Sequence, residues 1–107
     1  MINYFLMKRG YKKIYTLDEI KVETCIALGI NIEDISSRSR KRELVDARKI
    51  YCHISKYCVK ESLTSIGSKI DRHHSNVIHL IDECKNLNKN NREFRTKYFK
   101  VRSRISL

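Results

Sequence analysis

Two short clusters of polar side chains in this 107-residue sequence have the residue types and spacing that suit contact with a polyanion. The first is a basic run, Ser36-Ser37-Arg38-Ser39-Arg40-Lys41-Arg42, in which four of the last five residues are cationic. The run precedes a predicted helix, whose N-terminal amides favour an anion. A guanidinium here suits a narrow, A·T-rich minor groove, where the potential is most negative. A solvated turn has the same composition, so the second cluster decides between the two interpretations.

The second cluster is His73-His74-Ser75-Asn76, four polar residues at the start of another predicted helix. All four side chains can donate to or accept from base edges in a major groove. A short predicted helix over residues 62–70 precedes them and contains Gly67, a small residue that permits close packing. Helices over 62–70 and 73–87, joined by a tight turn, have the dimensions of a helix-turn-helix. An ordinary αα-hairpin would look similar, but together with the basic run the pair predicts DNA binding.

Helical signals cover the chain from residue 16 onwards. Thr16-Leu17-Asp18-Glu19 has the pattern of a capping box, and Gly29 supplies the left-handed residue that ends a helix. Isoleucines at 30, 32 and 35 predict a short helical turn on the core, and amphipathic helices are predicted over 41–60 and 91–105. In the helix over 73–87, the residues predicted to be buried are Val77, Ile78, Ile81 and Cys84. The predicted fold class is all-α, a small helical bundle, and only Met1–Tyr15 shows an alternation that would suit a strand.

The composition sets limits on function. The length corresponds to one domain, and the net charge of +11 indicates polyanionic partners rather than a particular fold. There is no proline and there are three glycines, so no Gly-rich phosphate loop is present. We therefore expect neither a nucleotide nor another cofactor, and no enzymatic activity. The sequence contains no apolar stretch of about 18 residues, as a membrane span would need. The apolar N-terminal stretch is short and precedes the basic residues, the reverse of the order in a signal peptide, so a cytoplasmic location is expected.

Cysteine and histidine could also bind metal, but their spacing argues against it. The four cysteines lie at otherwise apolar, helix-periodic positions, and no two form a C-x-x-C pair. In a reducing compartment such residues are expected to be free, buried thiols. A zinc site built from Cys52, Cys58 and the histidines would lack any recognised ligand spacing. We therefore expect no metal site.

Three stretches of the sequence resemble the C-terminal DNA-binding domain of DnaA, the bacterial chromosomal replication initiator. They are the run from Ser37 to Ile50, the motif Ser62-Leu63-x-x-Ile66-Gly67, and Arg72-His-His-Ser-Asn-Val-Ile-His79. The resemblance covers about residues 16–87, with the elements in the right order and spacing. It implies a helical bundle related to Trp-repressor-like helix-turn-helix folds, which binds the short, asymmetric DnaA box as a monomer.

The resemblance also implies roles for individual residues. The arginine that enters the minor groove corresponds to Arg40, and a phosphate-contacting lysine corresponds to Lys56. The remaining DNA-binding positions are Arg38, Lys41 and Arg42 beside Arg40, Ser62 and Leu63 at the start of the helix-turn-helix, and Arg72, His73, His74, Ser75 and Asn76 at its second helix. Here His73 replaces an aspartate, Asn76 a threonine and Thr64 a proline, and the glycine-rich turn is one residue shorter. A protonated His73 could not accept from a cytosine amino group, so the preferred site is expected to differ.

The resemblance divides the chain into an N-terminal basic extension (1–15), the DnaA-like domain (16–87) and a basic C-terminal helix or tail (88–107). The family's ATPase domain is absent from this sequence, so we expect a module that occupies a box without hydrolysing ATP or melting DNA. Its partner is expected to be double-stranded DNA, at sites where it competes or cooperates with a full-length initiator. Such a module would regulate replication or transcription, or would serve a mobile element.

Two other functions fit the same sequence. A helix-turn-helix repressor would dimerise through the helix over 91–105, whose apolar stripe could equally pack on its own core. A dimer in solution and a palindromic site would favour that alternative. An interaction module would use its basic ends to hold an acidic partner or a membrane surface, and its binding would be salt-sensitive without sequence preference. Catalysis by His73 or His74 with Ser75 is disfavoured, because no acid partner or oxyanion loop is evident.

Overall fold

The computed structural model describes residues 15–105, which form five α-helices and one short 3₁₀ helix. The α-helices are α1 (Leu17–Leu28), α2 (Arg42–Cys58), α3 (Leu63–Ser68), α4 (His74–Asn90) and α5 (Arg92–Ile105), and the 3₁₀ helix is Ile32–Ser36. No strand occurs within residues 15–105, and the predicted all-α class is confirmed. The alternation noted over Met1–Tyr15 falls, except for Tyr15, on residues that lie outside the described part of the chain.

The first helix begins and ends at the residues that the sequence predicted. The Glu19 amide donates to Thr16 Oγ1 at 3.1 Å, and the Thr16 amide donates to Glu19 Oε1 at 3.0 Å, which completes the capping box. Gly29 ends the helix with a φ of 68°, a left-handed conformation that carries little cost for glycine. Ile35 then places the 3₁₀ helix on the core, where it is fully buried.

Helix α2 lies at the centre of the bundle and packs against every other helix. Ala47, Ile50 and Ile54 are completely buried, as is Tyr51. The Tyr51 hydroxyl donates to the Ile66 carbonyl at 2.9 Å, which joins α2 to α3 and satisfies a buried polar group. Burial raises the pKa of Tyr51 well above its usual value, so the hydroxyl stays protonated as a donor.

Helix α5 closes the bundle with the apolar stripe that the sequence predicted. Phe94, Tyr98, Val101 and Ile105 are all buried, mainly against α1 and α4. Two ion pairs hold the polar side of this helix, Lys97 with Asp46 at 2.8 Å and Arg104 with Glu23 at 2.6 Å. The stripe therefore packs on its own core and is not available as a dimer interface.

Three details of the sequence prediction are wrong. Ile78 is 46% exposed, and Leu80 is buried in its place. The reason is helical spacing: Val77, Leu80 and Cys84 lie at i, i+3 and i+7, whereas Ile78 lies about 100° away from that face. The helix predicted over 62–70 ends at Ser68, and Ile70 is buried in the following turn. The helix predicted over 73–87 continues to Asn90.

The cysteines are placed as expected of structural thiols. Cys25, Cys52 and Cys84 are buried and free, and Cys58 is half-buried. Burial raises the pKa of the Cys25 thiol to about 11 and those of Cys52 and Cys84 to about 12, so all three remain protonated. Within residues 15–105 no three histidine, cysteine or acidic residues cluster as metal ligands do. None of the helices within residues 15–105 combines the length and the hydropathy that a membrane-spanning segment needs.

Candidate nucleic-acid interface

The basic run (Ser36–Arg42) connects the 3₁₀ helix to α2 and presents its cations to solvent. Arg38, Arg40, Lys41 and Arg42 are all exposed, and Arg42 is the first residue of α2. No carboxylate among the described residues lies within 4.0 Å of any of these four cations. The run is therefore a group of cations without internal ion pairs, as a polyanion-binding segment requires.

A buried arginine that the sequence analysis missed fixes the backbone of this run. The Arg48 Nε donates to the Ile35 carbonyl at 2.7 Å, and Nη1 donates to the Ser39 carbonyl at 2.9 Å. Its Nη2 donates to the carbonyls of Asp34 and Ser37, at 3.2 and 2.9 Å. One planar guanidinium thus satisfies four carbonyls between residues 34 and 39 and holds them in a single curve.

Arg48 keeps its charge beneath the run without a carboxylate partner among residues 15–105. Burial lowers the pKa of Arg48, and the nearby charge of Arg72 lowers it further. The position could have been found in the sequence, because Arg48 lies four residues after Leu44 and three before Tyr51, on the buried stripe. A charged residue on such a stripe needs hydrogen-bonding partners, and the irregular run before α2 offers free carbonyls.

The turn between α3 and α4 has the tight geometry of a helix-turn-helix. Ser62 caps α3 by accepting from the Ser65 amide at 3.1 Å, and Leu63 packs half-buried against the core. A Cβ added to Gly67 would overlap the Arg72 carbonyl oxygen and would lie 2.9 Å from Val77 Cγ2. Position 67 therefore requires glycine for space.

The turn also depends on Asp71, the one described non-glycine residue with a positive φ, of 57°. Aspartate tolerates this left-handed conformation better than most residues. The Arg72 amide then donates to the Gly67 carbonyl at 2.9 Å, which closes the turn.

The recognition segment (Arg72–Asn76) begins α4 with a histidine as its N-cap. The Ser75 amide donates to His73 Nδ1 at 3.2 Å, and Ser75 Oγ lies 3.0 Å from the same nitrogen. The His74 ring packs against the His73 ring, with centroids 4.1 Å apart and planes tilted by 38°. His73, His74 and Ser75 are exposed, and Asn76 is half-buried. Three polar side chains therefore face solvent at the start of α4.

Arg72 joins the recognition segment to the basic run. Its Nη2 donates to the Ser37 carbonyl at 2.8 Å, and its Nη1 donates to the carbonyls of Ile70 and Asp71 at 3.0 and 3.2 Å. The structure thus brings two of the predicted DNA-binding segments together through a residue that was itself predicted to contact DNA. Lys56 is exposed near the other end of α2, about 21 Å along the helix from Arg42.

Comparison with known proteins connects this geometry to a family. A family model described as the bacterial DnaA protein helix-turn-helix matches residues 17–83, from α1 to most of α4. The chain belongs to this family. The predicted resemblance to the DnaA C-terminal domain is therefore confirmed, and the matched range includes the predicted helix-turn-helix up to residue 83.

Whole-length relatives give the same assignment. The chain is 29% identical over 100 residues to the chromosomal replication initiator protein DnaA of Flavobacterium psychrophilum, covering 92% of this chain and 21% of that protein. It is 35% identical over 78 residues to the DnaA of Thermodesulfovibrio yellowstonii, covering 72% and 17%. For the DnaA of Chlorobaculum tepidum the identity is 31% over 96 residues, which cover 89% of this chain and 20% of that protein. The chain therefore spans about a fifth of the length of these DnaA relatives.

Proposed function

We propose that this chain binds double-stranded DNA at a DnaA-box-like site and acts in replication initiation or its regulation. The basic run enters the minor groove through Arg40, the recognition segment enters the major groove, and Lys56 contacts a phosphate. Membership of the DnaA helix-turn-helix family supports this proposal, as do relatives that are named as chromosomal replication initiators. At such sites the chain competes or cooperates with a full-length initiator, and it acts without an enzymatic step of its own.

The observation that carries this proposal is the hydrogen bond from Arg72 to the Ser37 carbonyl at 2.8 Å. It fixes the recognition segment relative to the basic run, so that two base-reading elements keep one spacing. A protein that only attracts polyanions needs exposed cations but no fixed spacing between them. A fixed spacing between a cationic loop and a helix start is what simultaneous reading of adjacent grooves requires.

The capping role of His73 defines which base edge it would read. Because Nδ1 accepts from the Ser75 amide, the neutral ring carries its proton on Nε2 and offers a donor to the major groove. Purines present acceptors there, N7 on both and O6 on guanine, and thymine presents O4, whereas cytosine presents an amino donor. We therefore assign His73 to a base other than cytosine, which is the base that an aspartate at this position would select.

Selection from a random duplex library, with the full chain, tests the proposal. We expect one asymmetric site, bound by a monomer, with an A·T-rich flank on the side of Arg40. His73→Asp keeps a good N-cap but replaces the donor with an acceptor, so it should change the preference at one position from a base with an acceptor to cytosine. His73→Asn, another good N-cap, is the matched control for folding. A palindromic site or the absence of any selected sequence would contradict the proposal.

A further inference from the structure

Four rings form a continuous line on the surface made by the C-terminal half of α2 and by α5. We call this set, Tyr57, His53, Tyr98 and Phe99, the aromatic line. Successive ring centroids are 5.1, 5.4 and 5.7 Å apart, all in edge contact. The inner rings of His53 and Tyr98 are buried, whereas Tyr57 is 74% and Phe99 51% exposed at the two ends. Single exposed aromatic residues are ordinary, but two at the ends of one connected row form a surface.

The two inner rings give this surface a rigid base. His53 Nδ1 and the Tyr98 hydroxyl are hydrogen-bonded at 2.9 Å. Burial lowers the pKa of His53, and the positive charges of Lys85 and Arg102 lower it further, so the ring is neutral near pH 7. Neither ring is free to turn away from the exposed aromatic residue beside it.

The surroundings of the aromatic line are cationic. The Arg102 guanidinium lies 5.9 Å from the centroids of both Tyr98 and Phe99. Lys85, on α4, is close enough for its charge to lower the pKa of His53. The exposed lysines Lys56 and Lys100 directly precede Tyr57 and follow Phe99 in the sequence. No carboxylate within residues 15–105 lies within 4.0 Å of these four cations. Residues 50–60 and 94–105 contain no acidic residue at all.

We propose that the aromatic line is a second binding surface, which takes an unpaired nucleic acid strand. Bases stack on Tyr57 and Phe99, and Lys85 and Arg102 meet the phosphates. Exposed aromatic rings with cations between them are the means by which proteins hold single strands without sequence preference. A duplex could satisfy the cations but not the rings, because its bases are already stacked on one another.

The position of the aromatic line relative to the proposed duplex site favours a nucleic acid over an acidic polypeptide. Tyr57 follows Lys56, so the surface begins where the proposed phosphate contacts end. It lies about 22 Å along α2 from Arg42, far enough to leave the basic run on the duplex. One nucleic acid molecule with a paired and an unpaired segment could therefore occupy both surfaces.

The test measures binding of the full chain to a fluorescently labelled twelve-nucleotide oligo(dT), and to an abasic strand of the same length and charge. We expect Tyr57→Ala and Phe99→Ala each to weaken oligo(dT) binding about fivefold or more, with the double variant weaker still. Duplex binding should stay within about twofold, since neither ring is among the residues proposed to contact the duplex. Lys89→Ala, which removes an exposed cation outside both surfaces, is the matched control for charge.

Several results would overturn this inference. Equal affinity for the abasic strand would show that only charge is recognised. Polyglutamate that binds wild type, displaces oligo(dT) and loses affinity in the double variant would identify an acidic polypeptide as the ligand. Arg40→Ala separates the two proposals, because it should weaken duplex binding while oligo(dT) binding is unchanged. If the wild-type chain binds duplex DNA without sequence preference, the proposed function is contradicted and the inference about the aromatic line is not.

Discussion

The basic run and the recognition segment lie side by side, yet their backbones are held in different ways. The run has no regular structure of its own, and its curve depends on Arg48, which reaches it from nine or more positions along the chain. The recognition segment is held locally, by the His73 cap and by the close approach of Gly67 to Arg72. One region is shaped by a buried long-range contact, and the other by contacts within a short segment.

This difference indicates where each region is vulnerable. The exposed cations of the basic run can be replaced without affecting folding, but their spacing depends on a residue that never reaches the surface. In the recognition segment the exposed residues and the residues that shape the backbone overlap, since His73 serves in both roles. Substitutions can therefore separate shape from contact in the basic run more cleanly than in the recognition segment.

The largest effect is expected from Arg48→Ala. It leaves four carbonyls without their shared donor, and we expect a loss of about 2–4 kcal/mol in the free energy of unfolding. Urea denaturation measures this loss, and library selection should show a weaker preference on the minor-groove side. Arg48→Lys retains the charge but cannot reach four carbonyls, so it should resemble the alanine variant. Wild-type stability in both variants would show that the run holds its shape without Arg48.

Gly67→Ala tests the recognition segment in the same manner. The added methyl group would meet the Arg72 carbonyl and Val77, and such overpacking costs about 1–3 kcal/mol. Gly29→Ala is the matched control, because no atom lies within 4 Å of its Cβ position and only the positive φ opposes alanine. Thermal unfolding of both variants should show the larger loss for Gly67. The reverse order would mean that the turn can open without cost.

Arg40→Ala removes a contact while leaving the shape of the basic run intact. Specific duplex binding should weaken by about 1–3 kcal/mol, and the preference at one A·T position should relax. Because Arg40 forms no ion pair with any residue that the structure describes, the free energy of unfolding should not change. Binding titrations with a selected site, with Lys89→Ala as the control, measure the effect. If affinity and base preference are both unchanged at low salt, the basic run does not contribute to base recognition.

Lys56→Ala should weaken binding to all DNA sequences by the same factor, because a phosphate contact carries no base information. The slope of log K against log salt should fall by about 0.9 for the one lost phosphate. Titrations at several salt concentrations, on the selected site and on an unrelated duplex, provide the comparison. An altered base preference with an unaltered slope would instead place Lys56 at a base edge.

The smallest expected effect is the pH dependence of stability that His53 causes. His53 lies in neither region, so its contribution to stability can be compared with theirs. Because burial lowers its folded-state pKa, the unfolded chain binds the proton more readily below about pH 6.5. Stability should therefore be unaffected above that pH and should fall as the pH decreases from there towards the folded-state pKa. His53→Gln should flatten this dependence in unfolding experiments between pH 5 and 8. A slope that persists in the variant would assign it to another group.

Local signals in the sequence determined most of the secondary structure. The capping box at Thr16 and the stop at Gly29 involve residues within a few positions of one another, so their chemistry is visible without a fold. The stripe of α5 was predicted for the same reason, because helical spacing alone places Phe94, Tyr98 and Val101 on one face. The polar character of the recognition segment and the charge of the basic run are likewise properties of consecutive residues.

Only the tertiary structure decided how these pieces are joined. Whether the α5 stripe covers its own core or a second copy depends on the position of α1, which periodicity does not contain. The links from Arg48 and Arg72 to the basic run connect residues up to 35 positions apart, and they exist only once α2 and the turn before α4 have packed. The aromatic line combines two distant helices in the same way. Contacts of this kind depend on three-dimensional proximity, so no local sequence pattern specifies them.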